Sequence, residues 1–160
     1  MQEIFLEYKI IIVFLHVISA VVWVGGMVAL RYAAQPSLLE IESSAEKLKR
    51  ISHAIKRFFI ILFPFIIILI ITAIIMIDAY SLLQDEFSVL SYVKVGLWSV
   101  MFINYIVAIK RRNRADKMII EDDFVGAQGQ LGPIGKILVP MNIVLGVTAI
   151  FIGSYFSSAM

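Results

Sequence analysis

Cysteine is absent from the 160-residue chain, which excludes disulfides, thiolate metal sites and cysteine nucleophiles. Charge is scarce: Asp, Glu, Lys and Arg make up 16% of the residues, against ~25% in an average soluble domain. There are two histidines, His16 and His53. The chain has no HExxH, no CxxC, no phosphate loop and no Rossmann fingerprint. No Ser–His–Asp set and no pair of buried acids falls at one depth. Hydrolysis and phosphoryl transfer are therefore not expected. The basic residues come without any recognition module, which argues against nucleic acid as a partner. The opening MQEIFLEYK lacks a basic n-region and a small-residue cleavage pattern, so no cleaved signal peptide is expected there.

Apolar residues make up 61% of the chain, and mean hydropathy is +0.93. They fall in four long runs, more than a chain of this size can bury in a soluble core. The expected fold class is all-α: an integral membrane four-helix bundle with short loops, one domain over residues 1–160. The helices are expected at about 10–34, 54–80, 92–112 and 134–156. The first run, IIIVFLHVISAVVWVGGMVALR, is long enough to cross the ~30 Å hydrocarbon layer. Pro36 is expected to end it. Residues 37–52 carry helical spacing through Leu38, Leu39, Ile41, Leu48 and Ile51. They read as a short interfacial helix or as an extension of helix 2. Pro64 falls inside helix 2, residues 81–91 read as a loop, and IIEDDFVGAQGQLGPIG is the most turn-like stretch. Gly146, Ala149 and Gly153 give helix 4 a small-residue face suited to close helix contact.

Charge sets the expected orientation. Arg31, Lys47, Lys49, Arg50, Lys56 and Arg57 cluster after helix 1, and Lys110, Arg111, Arg112, Arg114, Lys117 and Lys136 after helix 3. The connection between helices 2 and 3 has no base and three acids, Asp78, Asp85 and Glu86. The positive-inside rule places the basic loops in the cytoplasm and both termini outside. The expected location is a bacterial inner membrane, with the lipid bilayer as the first partner.

Inside a bilayer a polar side chain is expensive and tends to face protein, water or a cofactor. His16 is the first to explain. At helical spacing it shares a face with Ser19, Ala20, Trp23, Gly26 and Met27. The bland alternative is a histidine hydrogen-bonded to a neighbouring helix. Lys94 lies near the outer end of helix 3, on a face with Leu97, Trp98, Met101 and Tyr105. It either snorkels to the interface or points inward at the level of His16, as an anchor for a carboxylate or as a ligand. Asn104, Tyr105 and Asn142 read as interhelical hydrogen-bonders. His53 belongs to the cytoplasmic end, ~25 Å or more from His16 along the membrane normal. Met27, Met76, Met101, Met118 and Met141 are scattered, which weakens a dedicated copper pore.

FLHVISAVVWVGGMVALRY resembles the first helix of the small bacterial membrane proteins related to the HemJ-type protoporphyrinogen oxidases. It also resembles that of the CopD-like copper resistance domain. The match rests on His16, Trp23, Gly26 and Arg31, and on Lys94 within YVKVGLW. Leu30, Tyr92 and Tyr105 stand where the HemJ pattern has proline, histidine and histidine. That resemblance implies a membrane redox protein holding haem b or a porphyrin near the outer face. It offers His16 and Lys94 as the residues that match functional positions; His16 is the expected metal ligand, and His16, Lys94, Trp23, Gly26 and Tyr105 are the expected cofactor contacts. The CopD likeness implies copper transport or resistance instead, with Met27 or Met101 as soft contacts to His16. A third reading is a non-catalytic assembly subunit docking through Gly146, Ala149 and Gly153. Four helices give a haem little shelter, which suggests a homodimer or a larger membrane complex.

Overall fold

The computed structural model describes residues 2–80 and 88–159. Asp85 and Glu86, two acids of the expected outer loop, lie outside the described residues. The elements are α1 (Gln2–Ala29), α2 (Gln35–Leu39), α3 (Ser44–Ala79), α4 (Ser88–Ile120), α5 (Phe124–Pro133) and α6 (Val139–Ala159). They form a compact bundle of four helical rods, each long and apolar enough to cross a membrane: Phe5–Leu39, Ser44–Ala79, Ser88–Ile120 and Phe124–Phe156. Each rod packs on its sequence neighbours, and α6 closes the ring against α1.

The side-chain distribution is that of a protein solvated by lipid. Phe14, Ile60, Ile103, Val144 and Phe151 face outward, while Ser19, Thr72, Asn104 and Asn142 are buried. An apolar surface of this extent would be a gross liability in water. Outward hydroxyls bond their own helix: Ser99 donates to the Val95 carbonyl at 2.8 Å and Thr148 to the Val144 carbonyl at 2.9 Å. No backbone or hydroxyl group is thereby left facing hydrocarbon unpaired at these positions.

Two prolines expected near helix ends sit inside continuous rods. Residues Leu30–Ala34 and Ile134–Leu138 each form one π-helical turn. The Gln35 N–H reaches the Leu30 carbonyl and the Val139 N–H reaches the Ile134 carbonyl. Pro36 and Pro140 follow directly. A proline ring clashes with the carbonyl four residues back in a regular α-helix; the wider turn removes that clash. Helix 1 therefore continues to Leu39 rather than stopping at Pro36. The two widened turns meet. Gln35 fills the space beside Gly135, where a Cβ would lie 2.6 Å from its Nε2. Arg31 Nη1 donates to Gln35 Oε1 at 2.9 Å.

The rods also run further than the apolar runs suggest, because amphipathic helix continues past the expected membrane edge. No separate interfacial helix occupies residues 37–52. Residues 37–39 finish α2, and α3 starts at Ser44, capped by the Ser43 hydroxyl accepting from the Glu46 N–H. On α4 the buried stripe Tyr105, Ala108, Arg112, Ala115 and Ile119 runs through the basic stretch. The turn-like, glycine-rich segment is mostly helix. Asp123 caps α5 by accepting from the Gly126 N–H at 2.9 Å, and Ala127 and Leu131 bury completely or nearly so. Packing offsets the ~1 kcal/mol helix penalty of each glycine.

Glycines set the helix spacing inside the bundle. A Cβ on Gly146 would stand 2.5 Å from Val24 Cγ2 and 3.2 Å from Met101 Cε. Valine is stiff at χ1, so the backbones would have to part. Gly146→Leu is expected to destabilise the bundle by about 2–3 kcal/mol through overpacking. Thermal unfolding in mild detergent checks this, with Gly25→Leu as control, since nothing lies within 4 Å of a Cβ there.

Candidate functional site

All four rods bring a residue to the end of the bundle that holds the chain termini. Thr72, the one hydroxyl in the aliphatic second half of α3, is buried there. Its Oγ1 donates to the Ile68 carbonyl at 2.7 Å, with the Leu69 carbonyl at 3.2 Å. His16 Nδ1 lies 2.9 Å from the same oxygen. A threonine hydroxyl has one proton. With that proton on the α3 carbonyl, the oxygen accepts from an Nδ1–H. That arrangement corresponds to the neutral tautomer with its lone pair on Nε2, and no hydrogen bond reaches Nε2 among the described residues.

Lys94 approaches from α4. Its Nζ lies 3.0 Å from where a Gly153 Cβ would stand and 5.8 Å from the Phe156 ring centroid. A larger residue at 153 would occupy the slot that the amine uses. Lys94 is half-buried against α6 rather than lying free on the surface. Ser91, one turn away on the same α4 face, is buried, and its Oγ has no hydrogen-bond partner.

Trp23, Gly26 and Tyr105 occupy a deeper layer. Trp23 lies seven residues beyond His16, ~10 Å along the helix. Its ring meets Tyr105 edge-on at 6.5 Å, and Tyr105 Oη donates to the Phe59 carbonyl at 3.3 Å. Gly26 faces Phe58, whose Cε2 would lie 2.6 Å from a Cβ there. A side chain of the same protein fills the approach that Gly26 offered to a flat ligand. Beside this layer Asn104 Nδ2 donates to Asn142 Oδ1 at 2.8 Å, and Asn142 Nδ2 to the Met101 carbonyl at 3.1 Å. They border a cavity of about 20 Å³ that Trp23, Met27 and Tyr105 also line. The five residues expected to make one site thus divide into an imidazole–amine layer and an aromatic layer.

A second polar cluster stands at the opposite, basic end. Arg112 is buried; its Nε donates to Ser52 Oγ at 3.1 Å and to the Ser52 carbonyl at 3.3 Å. Its Nη1 reaches Asn113 Oδ1 at 3.1 Å and its Nη2 lies 2.5 Å from Asp116 Oδ2. Ser52 Oγ also donates to Asp116. His53 is exposed nearby, away from His16 as its position in sequence implied. A cavity of about 30 Å³ lies between the two π-helical turns, lined in part by Arg31, Gln35 and Gly135.

Sequence reasoning missed Thr72, Ser91, Ser52 and the inward role of Arg112. The signal for Thr72 was its isolation as the only polar residue in FIIILIITAIIMI.

Among the described residues no group of three or more His, Cys, Asp or Glu could hold a metal ion. A haem iron needs only one or two axial donors from protein, and an imidazole held through Nδ1 is one candidate donor. Volume is the harder test. Ligand pockets run to ~300–1,000 Å³, while the cavities at the aromatic and basic levels are of water size. A macrocycle does not fit inside the bundle at those levels. The chain matches no protein-family model, no curated protein and no solved structure.

Proposed function

We propose that the chain is a membrane redox protein that holds a haem b or porphyrin at the His16 end of the bundle, with His16 as axial ligand. The observation that supports this is the imidazole held through Nδ1 by Thr72, with no hydrogen bond to Nε2 among the described residues. Metal-binding histidines commonly use their second nitrogen in this way. A bound haem would supply one-electron chemistry; the chain's part is to orient the imidazole and to exclude water. The resemblance to the HemJ group adds protoporphyrinogen oxidation as the reaction to assay.

The basic ends of α3 and α4 put that end of the bundle in the cytoplasm by the positive-inside rule. The His16 layer is then near the outer face of a bacterial inner membrane. Four helices give a macrocycle little shelter, which favours completion by a second copy, as a homodimer. A copper site gains less support. Met27 follows His16 by eleven residues on the same helix, ~16 Å of rise, and Met101 packs at the Gly146 level. The assembly-subunit reading loses its docking face, since Gly146 and Gly153 receive Val24, Met101 and Lys94 of the same chain.

The visible spectrum of the protein purified after expression with ample haem tests the proposal. A Soret band is expected, lost in His16→Ala. A native protein without that band, both as purified and after reconstitution with hemin, would reject it.

A further inference from the structure

We infer that the His16 end of the bundle binds a carboxylate carried by its ligand, with the Lys94 ammonium as counter-ion and the Ser91 hydroxyl as second donor. The inference rests on the cofactor reading above and assigns the other half of that site.

The argument is an account of unused hydrogen-bonding capacity. In this layer the hydroxyls of Ser19 and Thr72 both donate to carbonyls of their own helices, at 2.7 Å each. His16 Nδ1 is already engaged with Thr72 Oγ1 at 2.9 Å. Donor hydrogens remain on Lys94 and Ser91. Ser91 is 3% exposed and its hydroxyl has no partner, an arrangement that costs free energy unless something arrives to accept. Among the described residues Lys94 has no carboxylate partner; its amine sits over the Phe156 ring and in the Gly153 slot. An aromatic face compensates only part of the cost of an ammonium in an apolar setting.

Ser91 and Lys94 are three residues apart on one helix, so their side chains share a face. Two donors, one charged, with no carboxylate beside them among the described residues and only the His16 Nε2 lone pair as an acceptor in their layer, favour an anionic ligand. A carboxylate suits them because its oxygens accept from both groups. The end of the bundle would then grip one ligand at two chemically different points: an iron or ring nitrogen region at His16 and an acidic side group at Lys94.

Metal-free protoporphyrin IX and its dimethyl ester test this in detergent-solubilised full-length protein, by porphyrin fluorescence. Neither probe needs an axial ligand, so the outcome is separable from that of the haem spectrum. The free acid is expected to bind about tenfold more tightly than the ester, the scale of one charge-assisted hydrogen bond. Lys94→Met should erase that preference, Lys94→Arg should keep most of it, and Ser91→Ala should reduce it about threefold. His16→Ala should retain it. Equal binding of acid and ester to the native chain, a preference that persists in Lys94→Met, or no binding of either probe would overturn the inference.

Discussion

Arg112→Met is expected to destabilise the protein by about 2–3 kcal/mol. The guanidinium is buried between α3 and α4 and is the hub of the basic-end cluster. Methionine keeps much of the stem and its packing, so the loss isolates the hydrogen bonds. Two of them, to the Ser52 hydroxyl and carbonyl, are shielded and carry charge on the donor. The contact to Asp116 counts for less, because that side chain is 38% exposed and solvent screens it. Asp116→Asn should therefore cost under about 1 kcal/mol, and Ser52→Ala about 1–2 kcal/mol by leaving part of the guanidinium unpaired. Denaturant unfolding in mild detergent, followed by helical circular dichroism, gives all three. An Arg112→Met protein within about 0.5 kcal/mol of native would show that the cluster is ornamental. The expectation has a consequence for folding. If the cluster registers α3 against α4, it does so outside the hydrocarbon, where packing of aliphatic side chains discriminates poorly between neighbouring helix registers.

The contrast between Arg112 and His16 shows what could be read in the sequence. Both are polar residues in helices, but only His16 falls within an apolar run, where its cost is obvious. Arg112 sits in KRRNRADK, and a basic stretch after a spanning helix is explained well enough by orientation. Its burial follows from phase: Tyr105, Ala108, Arg112, Ala115 and Ile119 keep one stripe turned inward after the run ends. Hydropathy averages lose that stripe because charged residues fill the other positions. The same blindness shortened the expected α3 and turned α5 into a loop, since three glycines outweigh Ala127 and Leu131 in any local score. Proline misled for a different reason. Pro36 does break the α-helical bonding, and the chain answers with a wider turn, not an end. Within the site, the imidazole and amine were legible because each is expensive in a bilayer. Thr72 was not, because a hydroxyl that bonds its own helix costs little, and its partnership with His16 depends on the register between two helices. Trp23, Gly26 and Tyr105 share a helical face with the site residues, but a face says nothing of depth. Several ångströms of helical rise put them with the asparagines instead.

Thr72→Val is the substitution expected to have the largest functional effect for the least structural change. Valine matches threonine in shape and leaves the α3 packing in place. It removes the one oxygen that holds His16 Nδ1 at 2.9 Å. Loss of a group that orients a ligating histidine commonly lowers affinity by about 10–100-fold, and the same range is expected for hemin titrated into the Thr72→Val protein. Thr72→Ser retains the hydroxyl and should bind within about threefold of native. The pairing gives a further check: in a His16→Ala background the valine substitution should add nothing, because the group it orients is gone. Nitrogen NMR of the imidazole reads the same interaction without any cofactor. The native protein should show a protonated Nδ1 and bare Nε2, and the valine variant a mixture of tautomers. Undiminished hemin affinity in Thr72→Val would mean that ligation does not depend on the imidazole's orientation. A native imidazole protonated at Nε2 would go deeper, since it would mean that the Thr72 hydroxyl donates to Nδ1 and that Nε2, carrying the proton, has no lone pair for iron.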